Sequence, residues 1–200
     1  AEAEAFCLHA NAHHGIAIRP NTLKTSRDEL LELLASEGIT AHAAGYAPET
    51  IIISGGVGNI AELALFREGY FIVQGLSSQL VGHALSPRPG STVLDLCAAP
   101  GGKSTHLAAL MNNQGFIDAF DLHPHKVELI KDNAQRLGMQ CITAHAADSR
   151  YLPERYQQTA DYVLLDAPCS GLGVLASRSD SRFRKEITNI EELAKLSYQL

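Results

Sequence analysis

Two hundred residues, 46% of them hydrophobic, are enough for a full core and about one to one and a half domains. Charged residues make up 19%, mean hydropathy is −0.03 and no run approaches the roughly 18 apolar residues of a membrane span, which excludes a helical transmembrane protein. Sixteen basic against 22 acidic residues leave a net charge of −6, which excludes nucleic-acid binding by bulk charge alone.

The chain opens Ala1-Glu2-Ala3-Glu4-Ala5-Phe6, acidic where a secretory signal is basic and without an initiating Met, so it reads as starting inside a longer protein. Cys7, Cys97, Cys141 and Cys169 form no CxxC pair, which argues against a zinc ribbon or a disulfide scaffold and for the reducing cytoplasm. His9, His13 and His14 match no zinc spacing and read as solvated terminus residues, so no metal is expected. Ile16-Ala17-Ile18 alternates toward Pro20 as a short strand. Ser26-Arg27-Asp28-Glu29 is a capping box opening a helix through Ser36, which Gly38 ends. Residues 39–43 and 51–53 read as strands, 61–67 as a shorter helix, 70–73 as a strand and 77–85 as a helix. Ser86-Pro87-Arg88-Pro89-Gly90 marks a boundary, making residues 1–86 a small α+β domain.

After Gly90 the rhythm becomes strand, glycine-rich turn, helix, strand, helix, strand: residues 92–96, 103–111, 116–120, 125–137 and 141–144. Helical connections of about 10–13 residues between strands imply right-handed crossovers and a parallel α/β sheet in residues 87–200. Asp161-Tyr162-Val163-Leu164-Leu165-Asp166 reads as a fourth, fully buried strand ending in an acid. Ligands of open α/β sheets sit at the carboxyl ends of strands, and the unusual residues cluster there.

Between the first of these strands and its helix lies Cys97-Ala98-Ala99-Pro100-Gly101-Gly102-Lys103-Ser104, a turn that lets a ligand approach backbone and helix N-terminus closely. A dinucleotide fingerprint is absent. Gly102-Lys103-Ser104 supplies the second half of a phosphate-binding loop, with Leu164-Leu165-Asp166 as its companion strand, but Cys97 occupies the first glycine position; an NTPase stays as an alternative, as does a plain tight turn. Asp121, Asp148 and Asp166 follow successive strands, and together these carboxylates favour a nucleoside cofactor such as S-adenosylmethionine, with Asp121 on the ribose hydroxyls and Asp148 near the adenine amino group. Asp166-Ala167-Pro168-Cys169-Ser170-Gly171-Leu172-Gly173 joins a carboxylate, a rigid proline and a thiol. Cytosine C5 accepts a methyl group once a thiolate has added to C6, and an adjacent acid can hold the N3/N4 edge of the base.

Residues 94–104 and 166–173 resemble the paired signatures of the NOP/Sun family of RNA 5-methylcytosine methyltransferases, most closely its bacterial ribosomal RNA enzymes. Asn21-Thr22-Leu23-Lys24-Thr25, Gly69 through Gln74 with Ser77-Ser78, and Asp180 with Arg182-Phe183 extend the resemblance, while Pro20, Gly75 and Ser179 depart from it. The resemblance implies a Rossmann-like class I S-adenosylmethionine-dependent domain lacking its C-terminal strands, after a small α+β domain. It further implies cofactor contacts from Cys97, Ala98, Ala99, Pro100, Gly101, Gly102, Lys103, Asp121, Asp148 and Asp166, with Asp166 and Cys169 in catalysis. A second, attacking cysteine of the family lies beyond Leu200, which leaves two readings: an enzyme, or a fragment that binds cofactor and RNA without turnover. Arg178, Arg182, Arg184 and Lys185 form a local basic run suited to RNA phosphates. Ribosomal RNA is the expected partner, with neither membrane nor metal, and the chain is expected to be a monomer.

Overall fold

The computed structural model describes residues 2–11, 15–45, 47–171, 173 and 187–200. They fall into two compact units, residues 15–166 and residues 1–14 with 167–200. In the second, α1 spans Glu2–Asn11, where the sequence suggested a solvated terminus; Ala-rich composition and two acids in the first turn suit a helix there.

Residues 15–166 hold two four-stranded sheets. The first is built from β1 (Ile16–Pro20), α2 (Arg27–Ser36), β2 (Thr40–Ala43), β3 (Ile51–Gly55), α3 (Ala64–Arg67) and β4 (Phe71–Val73). The capping box forms as read: Ser26 Oγ accepts from the Glu29 N–H at 3.2 Å, and Glu29 Oε2 accepts from the Ser26 N–H at 2.8 Å. The helix expected over 61–67 is divided. Asn59 caps a single 3₁₀ turn (Ile60–Glu62), and Leu63 in extended conformation separates it from α3. Strand order is β2-β3-β1-β4 with antiparallel pairing, the split β-α-β-β-α-β arrangement of ferredoxin-like folds. Ile18, Leu30, Leu34, Ile51, Ile53 and Phe71 form the core under α2.

Helix α4 (Leu76–Leu85) leads to the second sheet: β5 (Thr92–Asp95), α5 (Gly102–Leu110), β6 (Phe116–Asp121), α6 (Pro124–Leu137), β7 (Ile142–Ala146) and β8 (Tyr162–Leu164). The order β7-β6-β5-β8 is parallel throughout and corresponds to the 3-2-1-4 portion of a doubly wound sheet. β5 and β6 are covered by α5 and α6, through Leu107, Met111, Ile130 and Leu137 among others. β8 is not the fully buried strand that its composition suggested. Among the described residues it pairs only with β5, and Val163 is 51% exposed and Leu165 41%.

The two sheets are joined through polar groups as well as packing. In β1, Ile18 faces the α2 core while the next residue, Arg19, points the other way, and its register partner Ile72 belongs to the core of the parallel sheet. Asn21 Nδ2 donates to the carbonyls of Gly69 and Leu137, and Arg136 donates to those of Phe66 and Phe71. Gly69 has φ +75°, and a Cβ there would lie 1.9 Å from the Arg136 carbonyl oxygen, so no other residue fits.

Candidate functional site

In the order β7-β6-β5-β8 the chain runs outward in one direction from β5 and then returns to its other side as β8, so a crevice opens at the carboxyl ends of β5 and β8. There the Cys97–Gly102 turn bends into α5. Gly101, at φ +95°, caps the helix and sits against Ile130 of α6, with 3.2 Å from its would-be Cβ to the Ile130 Cα. The turn is thereby packed down, and its upper side faces a cavity of about 180 Å³. Cys97, Ala98, Ala99, Pro100, Gly102, Lys103 and Asp166 line this cavity from the parallel sheet; Val73, Gln74, Gly75 and Ser78 line it from β4 and α4.

Lys103 and Asp166 make the main electrostatic contact of the site. Lys103 Nζ pairs with Asp166 Oδ2 and lies 3.4 Å from Ser78 Oγ, joining the ends of β5 and β8 across the opening. Asp95, at the end of β5, is buried; Ser104 Oγ donates to its Oδ2 at 2.7 Å, and Oδ1 has no hydrogen-bond partner among the described residues. Burial pushes this carboxyl up to about 6, against the opposing Ser104 hydrogen bond. Burial, then the charges of Asp121, Asp95 and Asp166, push the Cys97 thiol up to about 11, so Cys97 stays a neutral thiol and serves the turn as a small wall residue.

The other residues singled out by the sequence are arranged unequally. Asp121 ends β6 and accepts from the His123 N–H at 3.0 Å through Oδ1, leaving Oδ2 without a hydrogen bond among the described residues. Asp148 caps the turn after β7 and is gripped by Arg150 at 2.6–3.2 Å; those hydrogen bonds hold its carboxyl below the usual range. Neither lines the cavity, although Ser149 Oγ donates to the Leu96 carbonyl and ties the end of β7 to the start of the turn. Cys169 is an exposed free cysteine of the other compact unit. Arg178, Arg182, Arg184 and Lys185 lie outside the described residues.

Sequence reasoning missed Arg19, Gln74 and Asp95. Arg19 is 2% exposed and reaches from β1 to the turn, donating to the Gly102 carbonyl at 2.9 Å, to Thr105 Oγ1 at 3.1 Å and to Gln74 Oε1. The available signal was a charged residue inside an alternating strand, Ile16-Ala17-Ile18-Arg19, where solvent was the simplest destination. Asp95 was visible as an acid closing an apolar strand.

A family model described as 16S rRNA methyltransferase RsmB/F matches residues 82–200, and one described as an RsmF/B-like ferredoxin-like domain matches residues 1–58. The chain is 41% identical over 184 residues to a probable ribosomal RNA small subunit methyltransferase B of Bacillus subtilis, covering 92% of this chain and 41% of that protein. It is 38% identical over 201 residues to one of the same description from Synechocystis, covering 100% and 45%. The solved structure of PH0851 superposes with a TM-score of 0.94 at 38% identity, covering 99% of this chain and 45% of that one. The chain thus spans less than half the length of these relatives.

Proposed function

The chain belongs to the 16S rRNA methyltransferase RsmB/F family, and on that premise we propose that it acts in transfer of a methyl group from S-adenosylmethionine to C5 of a cytosine in 16S ribosomal RNA. One observation carries this reading: the small-residue turn after β5 and the acid after β8 open onto one cavity and are joined by the Lys103–Asp166 pair. The residues present suit the cofactor. The turn from Cys97 to Lys103 offers close backbone approach, the buried Asp95 Oδ1 is an unfilled acceptor for a cationic group, and Asp121 Oδ2 is free for ribose hydroxyls. Asp148 reaches the adenine amino group only in competition with Arg150. When bound, the cofactor supplies an electrophilic methyl group.

The chain's own residues supply the rest. Lys103 pairs with Asp166 and orients it, and Asp166 accepts a hydrogen bond from the N4 amino group of a cytosine turned out of its RNA strand. A base is extruded most readily from a single-stranded or looped region, which makes such RNA the substrate. A cysteine thiolate adds to C6 and makes C5 nucleophilic; Cys169, beside the rigid Pro168, assists breakdown of the methylated adduct by accepting the C5 proton as thiolate, so that the C–H electron pair re-forms C5=C6 and the C6–S bond breaks to release the attacking thiolate. The basic residues 178–185 hold the flanking phosphates.

Calorimetric titration with S-adenosylhomocysteine tests the cofactor assignment, with ATP and magnesium as the control for the phosphate-loop alternative. Saturable binding of the nucleoside is expected, and Asp121→Ala should weaken it by about 1–3 kcal/mol. A folded chain that ignores S-adenosylhomocysteine and is stabilised by ATP would refute the proposal.

A further inference from the structure

Away from the cavity, three side chains from three separate elements converge. Glu49 stands in the turn before β3, His83 on α4 and His106 on α5. His83 Nε2 lies 2.8 and 2.9 Å from the two Glu49 oxygens, and His106 Nε2 lies 2.7 Å from Glu49 Oε1. The ligand-capable atoms of the three residues all lie within 4.8 Å of one another. The two rings stand edge to face, with centroids 5.1 Å apart, so both Nε2 atoms face one carboxylate from different sides.

Ordinary hydrogen bonding accounts for His83 and Glu49 but not for His106. That ring is 2% exposed, and neither of its nitrogens makes a hydrogen bond. Nε2 is near Glu49 Oε1 in distance but off the line of a ring N–H bond, and Nδ1 is pressed against α4 at Gly82. A buried polar atom left unpartnered is costly, and a pair of imidazoles with a carboxylate is a recurrent zinc donor set that leaves a fourth position for water. We propose that Glu49, His83 and His106 form a binding site for a borderline transition-metal dication, best represented by Zn²⁺, which clasps the turn before β3 to α4 and α5.

Bonds of about 2.0–2.1 Å in a tetrahedral arrangement place ligand atoms about 3.3 Å apart, so each histidine parts from Glu49 by about half an ångström while the two ring nitrogens, within 4.8 Å of each other, draw together around the ion. The partly exposed His83, at 31%, gives an entry path and room for the water. The charge of buried Arg19, which acts on both Glu49 and His106, opposes a cation here and makes the site one of moderate affinity. Mg²⁺, which prefers oxygen ligands and keeps its waters, is not expected to compete. Linear spacing gives no hint of the site, since the ligands share no element. It is independent of the proposed methyl transfer.

The test takes the whole chain, stripped with EDTA and dialysed, and titrates it with zinc chloride while metal content and melting temperature are followed; Co²⁺ serves as a coloured probe of tetrahedral nitrogen–oxygen ligation. One ion per chain and a rise in melting temperature are expected. His83→Ala and Glu49→Gln should each weaken binding at least tenfold and remove the thermal shift, while His123→Ala, on a ring outside the cluster, should change neither. His83 is partly exposed, so its variant keeps the test valid even where a substitution of His106 fails to fold. No saturable zinc, or zinc bound equally well by His83→Ala, overturns the proposal.

Discussion

The two sheets of residues 15–166 keep their polar residues in different places. In the parallel sheet Asp95, Asp121 and Asp166 stand at strand ends, closing β5, β6 and the β8 segment, while Asp118 inside β6 is paired with His145 of β7. In the antiparallel sheet the polar residues Arg19 in β1, Asn21 just after it and Gln74 just after β4 are all buried and all bonded to other elements. Asp95 and Asp121 each keep one carboxylate oxygen without a hydrogen bond among the described residues, whereas the polar groups of the antiparallel sheet are consumed by the fold. The antiparallel sheet therefore takes part in the candidate site as its foundation, by holding the Gly102 carbonyl through Arg19, and as one wall, through residues 73–75.

The largest expected effect breaks that foundation. Arg19→Ala removes the donor that the Gly102 carbonyl, Thr105 Oγ1 and Gln74 Oε1 share in a closed interior, leaving the carbonyl only its bond from Thr105, at a cost of about 3–5 kcal/mol. Urea midpoints read it. A loss below about 1 kcal/mol would show that the two sheets are joined by packing alone.

Asp95 tests the opposite case, an acid kept at a strand end at the expense of stability. Below about pH 4 it is protonated in both folded and unfolded chains. As pH rises from its ordinary value of 3.8 through about 6, the unfolded chain ionises first, and the folded state comes to hold a buried charge. Its contribution to stability is thus full at low pH and lost by about pH 7. Asp95→Asn should remove this dependence and raise stability at pH 7.5 by about 1–3 kcal/mol, read from denaturation midpoints across that range. A variant as pH-dependent as the parent would assign the effect elsewhere.

The smallest effect separates two adjacent strands of one sheet. Val93 of β5 is fully buried and Val163 of β8 is half exposed. Val93→Ala should cost about 2 kcal/mol and Val163→Ala under about 0.5 kcal/mol. Equal losses would mean that β8 is covered in solution.

Much of this was legible in the sequence, for local reasons. The capping box at Ser26–Glu29, the β-α alternation after Gly90 and the small-residue turn at 97–102 are written in neighbouring residues, and each forms as read. Asp121, Asp148 and Asp166, as acids after strands, followed from the same alternation, while Asp95 was passed over. What escaped was set by distant partners. Nothing within the Tyr162–Leu165 run shows that β8 has, among the described residues, a neighbour on one side only. Arg19 finds its partners 55 to 86 residues away, and Glu49 meets rings on two later helices. The break at Leu63 escaped for a local reason: one residue's extended conformation outweighed a run of good helix formers.

The bond from Arg19 to the Gly102 carbonyl spans 83 residues, and its consequence lies in the order of synthesis. At about 5–20 residues per second, the first strand leaves the ribosome roughly 4–17 seconds before the carbonyl that it will hold. The Leu137 carbonyl that receives Asn21 comes later still, 116 residues on. The nascent antiparallel sheet therefore waits with its α2 face closed and the face bearing Arg19 still wet. Its last face dries only when α5 and α6 arrive, so the antiparallel sheet, although made before the parallel one, is finished no earlier than it.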